Sequence, residues 1–115
     1  MGFGLKSDCR IVVSGNLVRD TVVRSVDTLD FGATVWVDSI LPSLGGNGAN
    51  TAFAIGALGV AVVLISECGD DESGALCIRG LRKAGVDPWV KEDPSHPTAT
   101  TIAIVNHRRE RCFLH

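Results

Sequence analysis

A run of small and amide residues near the middle of the chain has the composition of a ligand-binding loop. Gly45, Gly46 and Gly48 enclose Asn47, and Asn50 follows two residues later. Closely spaced glycines let a backbone pass near a ligand and present free N–H groups to it, and an asparagine side chain both donates and accepts hydrogen bonds. Such a loop suits a polyhydroxylated or anionic small molecule.

Two nucleotide-binding motifs fit this loop poorly. A P-loop needs Lys followed by Ser or Thr after its glycines, and no such pair follows here. In a dinucleotide-binding GxGxxG motif the third glycine would fall at Thr51. The loop therefore indicates either a site for a small polar molecule or a tight turn whose glycines serve only close helix packing, and the glycines alone leave both open.

Asp20 is a second residue whose position indicates binding. It lies five residues after Gly15, close to the end of a short β-branched run. Open α/β sheets bind ligands at the carboxyl ends of their strands, and a carboxylate there can accept hydrogen bonds from two sugar hydroxyls. Taken alone, an aspartate here is more typical of a solvated turn.

The flanking sequence predicts the elements that would hold these residues. Residues 10–14 predict a short buried strand, and residues 51–58 a helix of small side chains directly after the glycine loop. A second buried strand is predicted over residues 60–66 and a second helix over residues 72–84, closed by Gly85. Strands that alternate with helices predict a parallel α/β sheet.

Two further segments predict strands outside this alternation. Residues 21–40 indicate two strands joined by a turn, the second of them around residues 35–37. Residues 98–105 and 110–114 predict a hairpin with a polar tip at residues 106–109. The arginines near this tip are typical of a solvated turn.

Composition excludes several classes of protein. The chain has 115 residues, 45% of them hydrophobic, and a formal charge of -2, which indicates one globular domain without a basic surface for DNA or RNA. The longest apolar run, residues 60–65, is far shorter than the roughly 18 residues of a membrane span, and no signal peptide is evident, so the cytoplasm is the expected location. The four cysteines do not have the spacing of a zinc site. They are expected to be reduced: Cys9, Cys68, Cys77 and Cys112.

Taken together, these residues resemble the ribokinase and phosphofructokinase-B (PfkB) carbohydrate kinase family. Residues 45–52, with Gly59 and Gly69 at their intervals, are similar to the family's N-terminal signature. Residues 15–20 resemble its strand-end sugar ligand, and residues 98–114 resemble its second lid hairpin. The resemblance covers nearly the whole chain.

The resemblance implies that residues 1–115 form the N-terminal part of a PfkB-type kinase domain. The implied fold is α/β, a partial ribokinase-like three-layer α/β sandwich, with a small β-sheet lid whose strands lie at about residues 21–40 and 98–114. Lids of this kind pair between subunits, so a homodimer through the lid sheet is expected. The family transfers the γ-phosphoryl group of ATP, with Mg2+, to a hydroxyl of a sugar or nucleoside.

The resemblance also implies a set of substrate-binding residues, made of the strand-end carboxylate and the glycine loop. They are Asp20, Gly45, Gly46, Asn47, Gly48 and Asn50. On this pattern Asp20, Gly46 and Asn50 would hold the hydroxyls of the acceptor, and Asn47 would line the same pocket. Some members of the family carry Lys at the position of Asn47, so the identity of the sugar does not follow from the resemblance.

The family's catalytic aspartate lies in a glycine-rich motif far downstream, beside the ATP pocket, and no similar run occurs in this chain. We therefore assign no catalytic residue or metal ligand, and expect the chain to be inactive alone and to bind neither ATP nor Mg2+ tightly. Asp70 and Asp71 are expected to cap the helix that starts at Glu72. Two other functions stay open: a non-catalytic module for sugar binding or dimerisation, and a nonfunctional truncated remnant. No nucleic-acid or membrane partner is expected.

Overall fold

The computed structural model describes residues 10–115, which contain seven strands and two helices. In chain order they are β1 (Ile11–Ser14), β2 (Val18–Arg24), β3 (Ser39–Gly45), α1 (Asn47–Ala57), β4 (Val62–Gly69), α2 (Glu72–Lys83), β5 (Val86–Asp93), β6 (Thr100–Val105) and β7 (Arg111–Leu114). They form two separate sheets, and the chain divides into two compact units. The predicted α/β fold class is confirmed.

The first unit comprises residues 10–19 and Leu44–Ala99 and is built on a parallel sheet. The strands lie in the order β1-β4-β5, and both pairings are parallel. Val13 pairs with Leu64, which pairs in turn with Pro88. The parallel sheet predicted from the alternation of strands and helices is therefore present.

Both helices pack against the same face of this sheet. Val62 and Leu64 share a face of β4 because successive side chains of a strand point to opposite faces. The two residues belong to one buried cluster with Ala52 of α1 and Leu81 of α2, and Leu64 and Leu81 are fully buried. The core of the first unit therefore lies between the sheet and the two helices.

The second unit comprises Asp20–Ser43 and Thr100–His115. Its strands belong to a sheet in the order β3-β2-β6-β7, in which β6 and β7 pair antiparallel. Buried and less buried residues alternate along β6, so that one face of this strand is buried and the other reaches solvent. The hairpin predicted for the end of the chain is confirmed, with its turn before β7.

The start of α1 corrects the predicted helix. The helix begins at Asn47, four residues before the predicted Thr51, so that Gly48 and Asn50 lie in its first turn. The predicted loop is shortened from the other side as well, because β3 continues to Gly45. Glycine weakens a helix interior, and here contacts with the loop after β1, described below, offset that weakness.

The predicted strand around residues 35–37 is wrong. This segment belongs to an irregular connection, in which Trp36 is 89% exposed, and β3 begins only at Ser39. Alternating side chains form a strand only where a neighbouring strand supplies hydrogen bonds, and bonding to β2 resumes at Asp38, whose N–H donates to the carbonyl of Arg24.

Strand β5 was not predicted, and β4 is shifted from the predicted residues 60–66 to Val62–Gly69. Pro88 lies inside β5 and has no N–H to donate, which argues against a central strand. Among the described strands β5 lies at the edge of its sheet, where the backbone on one side is not hydrogen-bonded to another strand. This position makes the proline tolerable.

Among the described cysteines, Cys68 and Cys77 are buried and Cys112 is exposed. Burial raises the pKa of the Cys68 thiol, which favours an unreactive side chain. Cys9 lies outside the described residues. Neither helix in residues 10–115 is long and apolar enough to cross a membrane.

Candidate functional site

The loop after β1 and the first turn of α1 lie in direct backbone contact. A Cβ added to Gly48 would lie 2.6 Å from the carbonyl carbon of Gly15, and one added to Gly15 would lie 2.8 Å from the Cα of Gly48. Both separations are too short for real side chains. These two positions therefore need glycine for close packing. A role in helix packing was one of the two interpretations of the loop that the sequence left open.

Gly46 needs glycine for its backbone conformation as well. It joins β3 to α1 with φ 94°, in the region that favours glycine, and an added Cβ would overlap the carbonyl oxygen of Asn16. The glycine loop thus brings the start of α1 against the loop that follows β1.

Hydrogen bonds join the same two segments. The side-chain Oδ1 of Asn47 accepts from the N–H of Asn16 at 2.9 Å and from the N–H of Gly48 at 2.7 Å. The carbonyl oxygen of Asn16 accepts from the N–H of Ala49 at 3.1 Å. Free N–H groups in the first turn are what make a helix N-terminus an anion site. Since those of Gly48 and Ala49 already have partners within the chain, this helix start does not offer them to a phosphate.

Strand β4 supports the other side of the loop. The register pairs Ser14 with Ile65, which places Gly15 beside Ser66. The hydroxyl of Ser66 donates to the carbonyl oxygen of Gly15 at 2.7 Å, and the N–H of Gly15 donates to the carbonyl oxygen of Ile65 at 3.3 Å. The loop after β1 is thereby held by β4 and α1 together.

A cleft of about 570 Å³ opens at the carboxyl ends of β1 and β4. Its polar lining groups come from Ser14, Asn16, Ser66 and Glu67, and its apolar wall includes Leu17. The volume is within the range of small-molecule sites, and ligands of parallel α/β sheets bind at this end of the strands. This cleft is the candidate site.

The predicted residues fall into both compact units. Gly45, Gly46, Asn47, Gly48 and Asn50 belong to the first unit, where Asn47 and Asn50 are exposed and Gly45 and Gly48 are buried. Asp20 belongs to the second unit, as the third residue of β2. Within the first unit, the structure brings the glycine loop together with residues 15–17, which line the cleft, but none of the six predicted residues lines it.

Asp20 has an electrostatic environment suited to binding hydroxyls. Its side chain is partly buried, and burial raises the pKa of the carboxyl group, while His115 acts in the opposite direction. A carboxylate that has lost part of its water shell gains from new hydrogen-bond donors such as sugar hydroxyls.

A smaller cleft of about 260 Å³ lies in the second unit, and Asp27 and Glu110 contribute to its lining. Asp27 already accepts hydrogen bonds from the backbone N–H of His107 at 3.1 Å and from its ring, and these bonds lower the pKa of the Asp27 carboxyl group. Glu110 is likewise bonded to Asn106 at 2.7 Å. Both acidic groups of the smaller cleft therefore already hold the hairpin through hydrogen bonds. The cleft at the ends of β1 and β4 is the better candidate.

Asp71 caps α2, as the sequence predicted. Its carboxylate accepts from the N–H of Gly74 at 2.8 Å, and from the hydroxyl and N–H of Thr98 at 2.6 and 2.8 Å. The bonds from Thr98 and Gly74 lower the pKa of the Asp71 carboxyl group. Asp71 is therefore a structural residue of the first unit.

The sequence did not single out Asn16, Ser66 or Glu67. None of them belongs to a short motif, and each reaches the cleft only because β1 pairs with β4 in one particular register. Once two parallel strands are predicted, polar residues where both strands end are a usable signal, and residues 66 and 67 would have met that test.

Nothing in residues 10–115 assembles a metal site: no group of three or more His, Cys, Asp or Glu side chains lies close enough to hold an ion. The first-turn N–H groups of Gly48 and Ala49 have partners within the chain as well. The polar groups that line the cleft suit a hydroxyl-rich ligand.

Known proteins resemble this chain in both sequence and fold. The profile of the pfkB family carbohydrate kinases matches residues 9–114. A fructokinase from Escherichia coli is 41% identical over 75 residues, which cover 64% of this chain and 24% of that protein. An ATP-dependent ribose-1-phosphate kinase from Halopiger xanaduensis is 38% identical over 79 residues, 68% of this chain and 26% of that protein.

The solved structure of ribokinase from Giardia lamblia superposes with a TM-score of 0.80 at 26% identity, over 92% of this chain and 33% of that one. The chain thus spans about a quarter of the length of the two curated relatives. The match to the family profile covers nearly all of the chain, and the chain belongs to the pfkB family of carbohydrate kinases.

Proposed function

We propose that this chain forms the acceptor-binding part of an ATP-dependent sugar or nucleoside kinase. The observation that carries the proposal is the cleft at the carboxyl ends of β1 and β4, which is built on the contact between the loop after β1 and the start of α1. Membership of the family supports a carbohydrate as the acceptor. The fructokinase and ribokinase relatives make D-fructose and D-ribose the first acceptors to test.

In this proposal the ligand is held by hydrogen bonds to its hydroxyls. The carboxylate of Asp20 accepts from two hydroxyls, the amide of Asn50 donates and accepts, and the backbone at Gly46 approaches the sugar closely. The remaining members of the set do not line the cleft themselves and form the loop that packs against residues 15–16: Gly45, Asn47 and Gly48.

ATP, with Mg2+, supplies the phosphoryl group in this activity. To the described residues we assign only the binding and orientation of the acceptor and the exclusion of water around it. A base for the attacking hydroxyl is required as well, and we assign this role to no residue of the chain. The proposed location is the cytoplasm, where ATP is available.

We also propose that two copies pair through the sheet of the second unit. Apolar side chains on its strands reach solvent, among them Ile40 at 62% exposure and Phe113 at 49%. Burial of such side chains between two copies would remove apolar surface from water. Sedimentation equilibrium of the chain tests this, since a purely monomeric distribution at high concentration would contradict it.

The binding proposal is tested by titrating the 15N-labelled 115-residue chain with D-ribose, D-fructose and adenosine. We expect at least one of them to shift the amide resonances of residues 45–50 in a saturable way, and Asp20→Ala to abolish the shift. D-Mannitol serves as an acyclic polyol control. No saturable shift from any of the three ligands, or the same shift with mannitol, would reject the proposal.

A further inference from the structure

Asn47 makes an unusual pair of contacts for a residue expected to line a sugar pocket. One N–H that it accepts from belongs to the next residue, Gly48, and the other belongs to Asn16, which is 31 residues earlier in the chain. A carbonyl oxygen has two lone pairs. Both are therefore used inside the protein, and this oxygen has no lone pair left for a sugar hydroxyl.

The contact with Asn16 occurs where the backbone leaves the parallel sheet. Strand β1 ends at Ser14, so the N–H of Asn16 lies beyond the strand and takes a side-chain acceptor in place of a neighbouring strand. The carbonyl oxygen of Asn16 accepts from Ala49 of the same helix turn. Both polar backbone groups of Asn16 are thus held by the first turn of α1.

The rest of the loop is fixed on both sides of Asn16. Gly15 is held by Ser66 at 2.7 Å, and Leu17 is 3% exposed and belongs to the hydrophobic core. Residues 14–18 line the cleft. Between these two anchored residues, the bond to the Asn47 side chain holds Asn16, which is the polar part of this wall of the cleft.

We propose that Asn47 is a positioning residue, whose side-chain oxygen holds the loop after β1 against the start of α1 and thereby sets one wall of the cleft, and which does not contact the sugar. Only its effect on sugar affinity rests on the proposed function. The hydrogen bonds themselves can be tested without any ligand.

The test uses two substitutions that separate acceptor from donor. Asn47→Leu removes both the acceptor and the amide N–H at similar volume, whereas Asn47→Asp keeps the acceptor oxygens and removes only the amide N–H. A negative charge at the first position of α1 is also favourable to the helix. Asn50→Asp is the matched control, because it removes the amide N–H of the residue that we propose contacts the sugar from the same helix turn.

Two quantities are measured for each variant of the full 115-residue chain at about pH 7, where an aspartate is ionised: hydrogen exchange of the Asn16 and Gly48 amides, and affinity for D-ribose and D-fructose by NMR titration. We expect Asn47→Leu to accelerate exchange at Asn16 by roughly three- to tenfold and to weaken sugar binding. Asn47→Asp is expected to rescue both. Asn50→Asp is expected to weaken sugar binding without changing exchange at Asn16.

Two results would overturn the inference. One is unchanged exchange at Asn16 in Asn47→Leu; the other is loss of sugar binding in Asn47→Asp while the Asn16 amide stays protected, which would mean direct contact through the amide N–H. If the wild-type chain binds neither sugar, the proposed function fails, and exchange alone decides whether the oxygen of Asn47 holds the loop. If Asn47→Leu does not fold, Asn47→Ala replaces it.

Discussion

Asp20, the third residue of β2, is partly buried, and burial raises the pKa of its carboxyl group. A carboxylate that is raised in energy by lost hydration is stabilised when hydroxyls donate to it, so ligand binding and ionisation favour each other. The opposing contribution of His115 reduces the shift but does not cancel it.

We therefore expect affinity for D-ribose or D-fructose to fall as the pH is lowered through the pKa of Asp20. Bound hydroxyls favour the ionised form, so binding lowers the pKa and protonation opposes binding. Because burial raises the pKa of Asp20 in the unliganded protein above 3.8, the loss of affinity should begin at a higher pH than it would for a solvated aspartate. NMR titrations between about pH 7 and pH 4 measure it.

Asp20→Asn is the control for this experiment, because it has the same shape and does not titrate. Its affinity should be weaker and should depend little on pH in the same range. An identical acid dependence in Asp20→Asn would assign the titration to another group and remove Asp20 from the proposed site.

Two glycines in the two helices differ in what surrounds them, and this difference gives a prediction for the elements. Gly48 in α1 lies against Gly15, whereas Gly80 in α2 has no atom within 4 Å of the position of an added Cβ. We expect Gly48→Ala to destabilise the chain by about 1–3 kcal/mol through overpacking, and Gly80→Ala to stabilise it by about 0.5–1 kcal/mol through helix propensity.

Urea denaturation followed by circular dichroism measures both changes in the free energy of unfolding. The pair is matched, since both substitutions replace a helical glycine with alanine. A change of the same sign and size in the two variants would show that the contact between Gly15 and Gly48 does not constrain α1.

The cap of α2 predicts how this element responds to acid. The pKa of Asp71 is lower in the folded chain than its ordinary value of 3.8, so its contribution to stability is present above about pH 3.8 and is lost as the pH falls through the folded pKa. Asp71→Ala should lower the melting temperature at neutral pH, and the difference from wild type should shrink below about pH 4.

Thermal unfolding at several pH values tests this, with Asp70→Ala as the neighbouring control. Asp70 does not cap the helix, so its removal should leave the melting temperature nearly unchanged. A difference between Asp71→Ala and wild type that stays constant down to about pH 2 would contradict the role of the carboxylate.

The elements show where sequence patterns suffice and where they do not. The helix over Glu72–Lys83 and the final hairpin follow from periodicity and turn residues, which act locally. The start of α1 depends on hydrogen bonds with the distant Asn16, which donates to Asn47 and accepts from Ala49. Residues 35–37 form no strand because no neighbouring strand pairs with them. The glycine loop could be singled out from the sequence, but Ser66 and Glu67 reach the cleft beside residues 14–18 only through strand register.

At the scale of the whole molecule, stability of the first unit depends on the core between its sheet and helices. Leu64 is fully buried at the centre of the described sheet, whereas Leu58 at the end of α1 is 66% exposed. We expect Leu64→Ala to cost about 2–5 kcal/mol of unfolding free energy, and Leu58→Ala to change it by no more than about 0.5 kcal/mol.

Chemical denaturation measures both variants. Similar losses at the two positions would mean that the cluster around Leu64 is not the main source of stability. Loss of the cooperative transition in Leu64→Ala alone, with Leu58→Ala unaffected, agrees with the expected cost.

The order of elements along the chain has a consequence for how the protein folds. Four successive elements of the first unit, α1, β4, α2 and β5, are contiguous in sequence. In contrast, Asp20–Ser43 of the second unit are inserted between β1 and β4, in which Ile11 pairs with Val62. Closing so long a loop has an entropic cost that local pairings avoid, so β1 is expected to dock late in folding. The wall of the cleft formed by residues 14–18 would then be among the last parts to form, and ligand affinity would report that folding is complete.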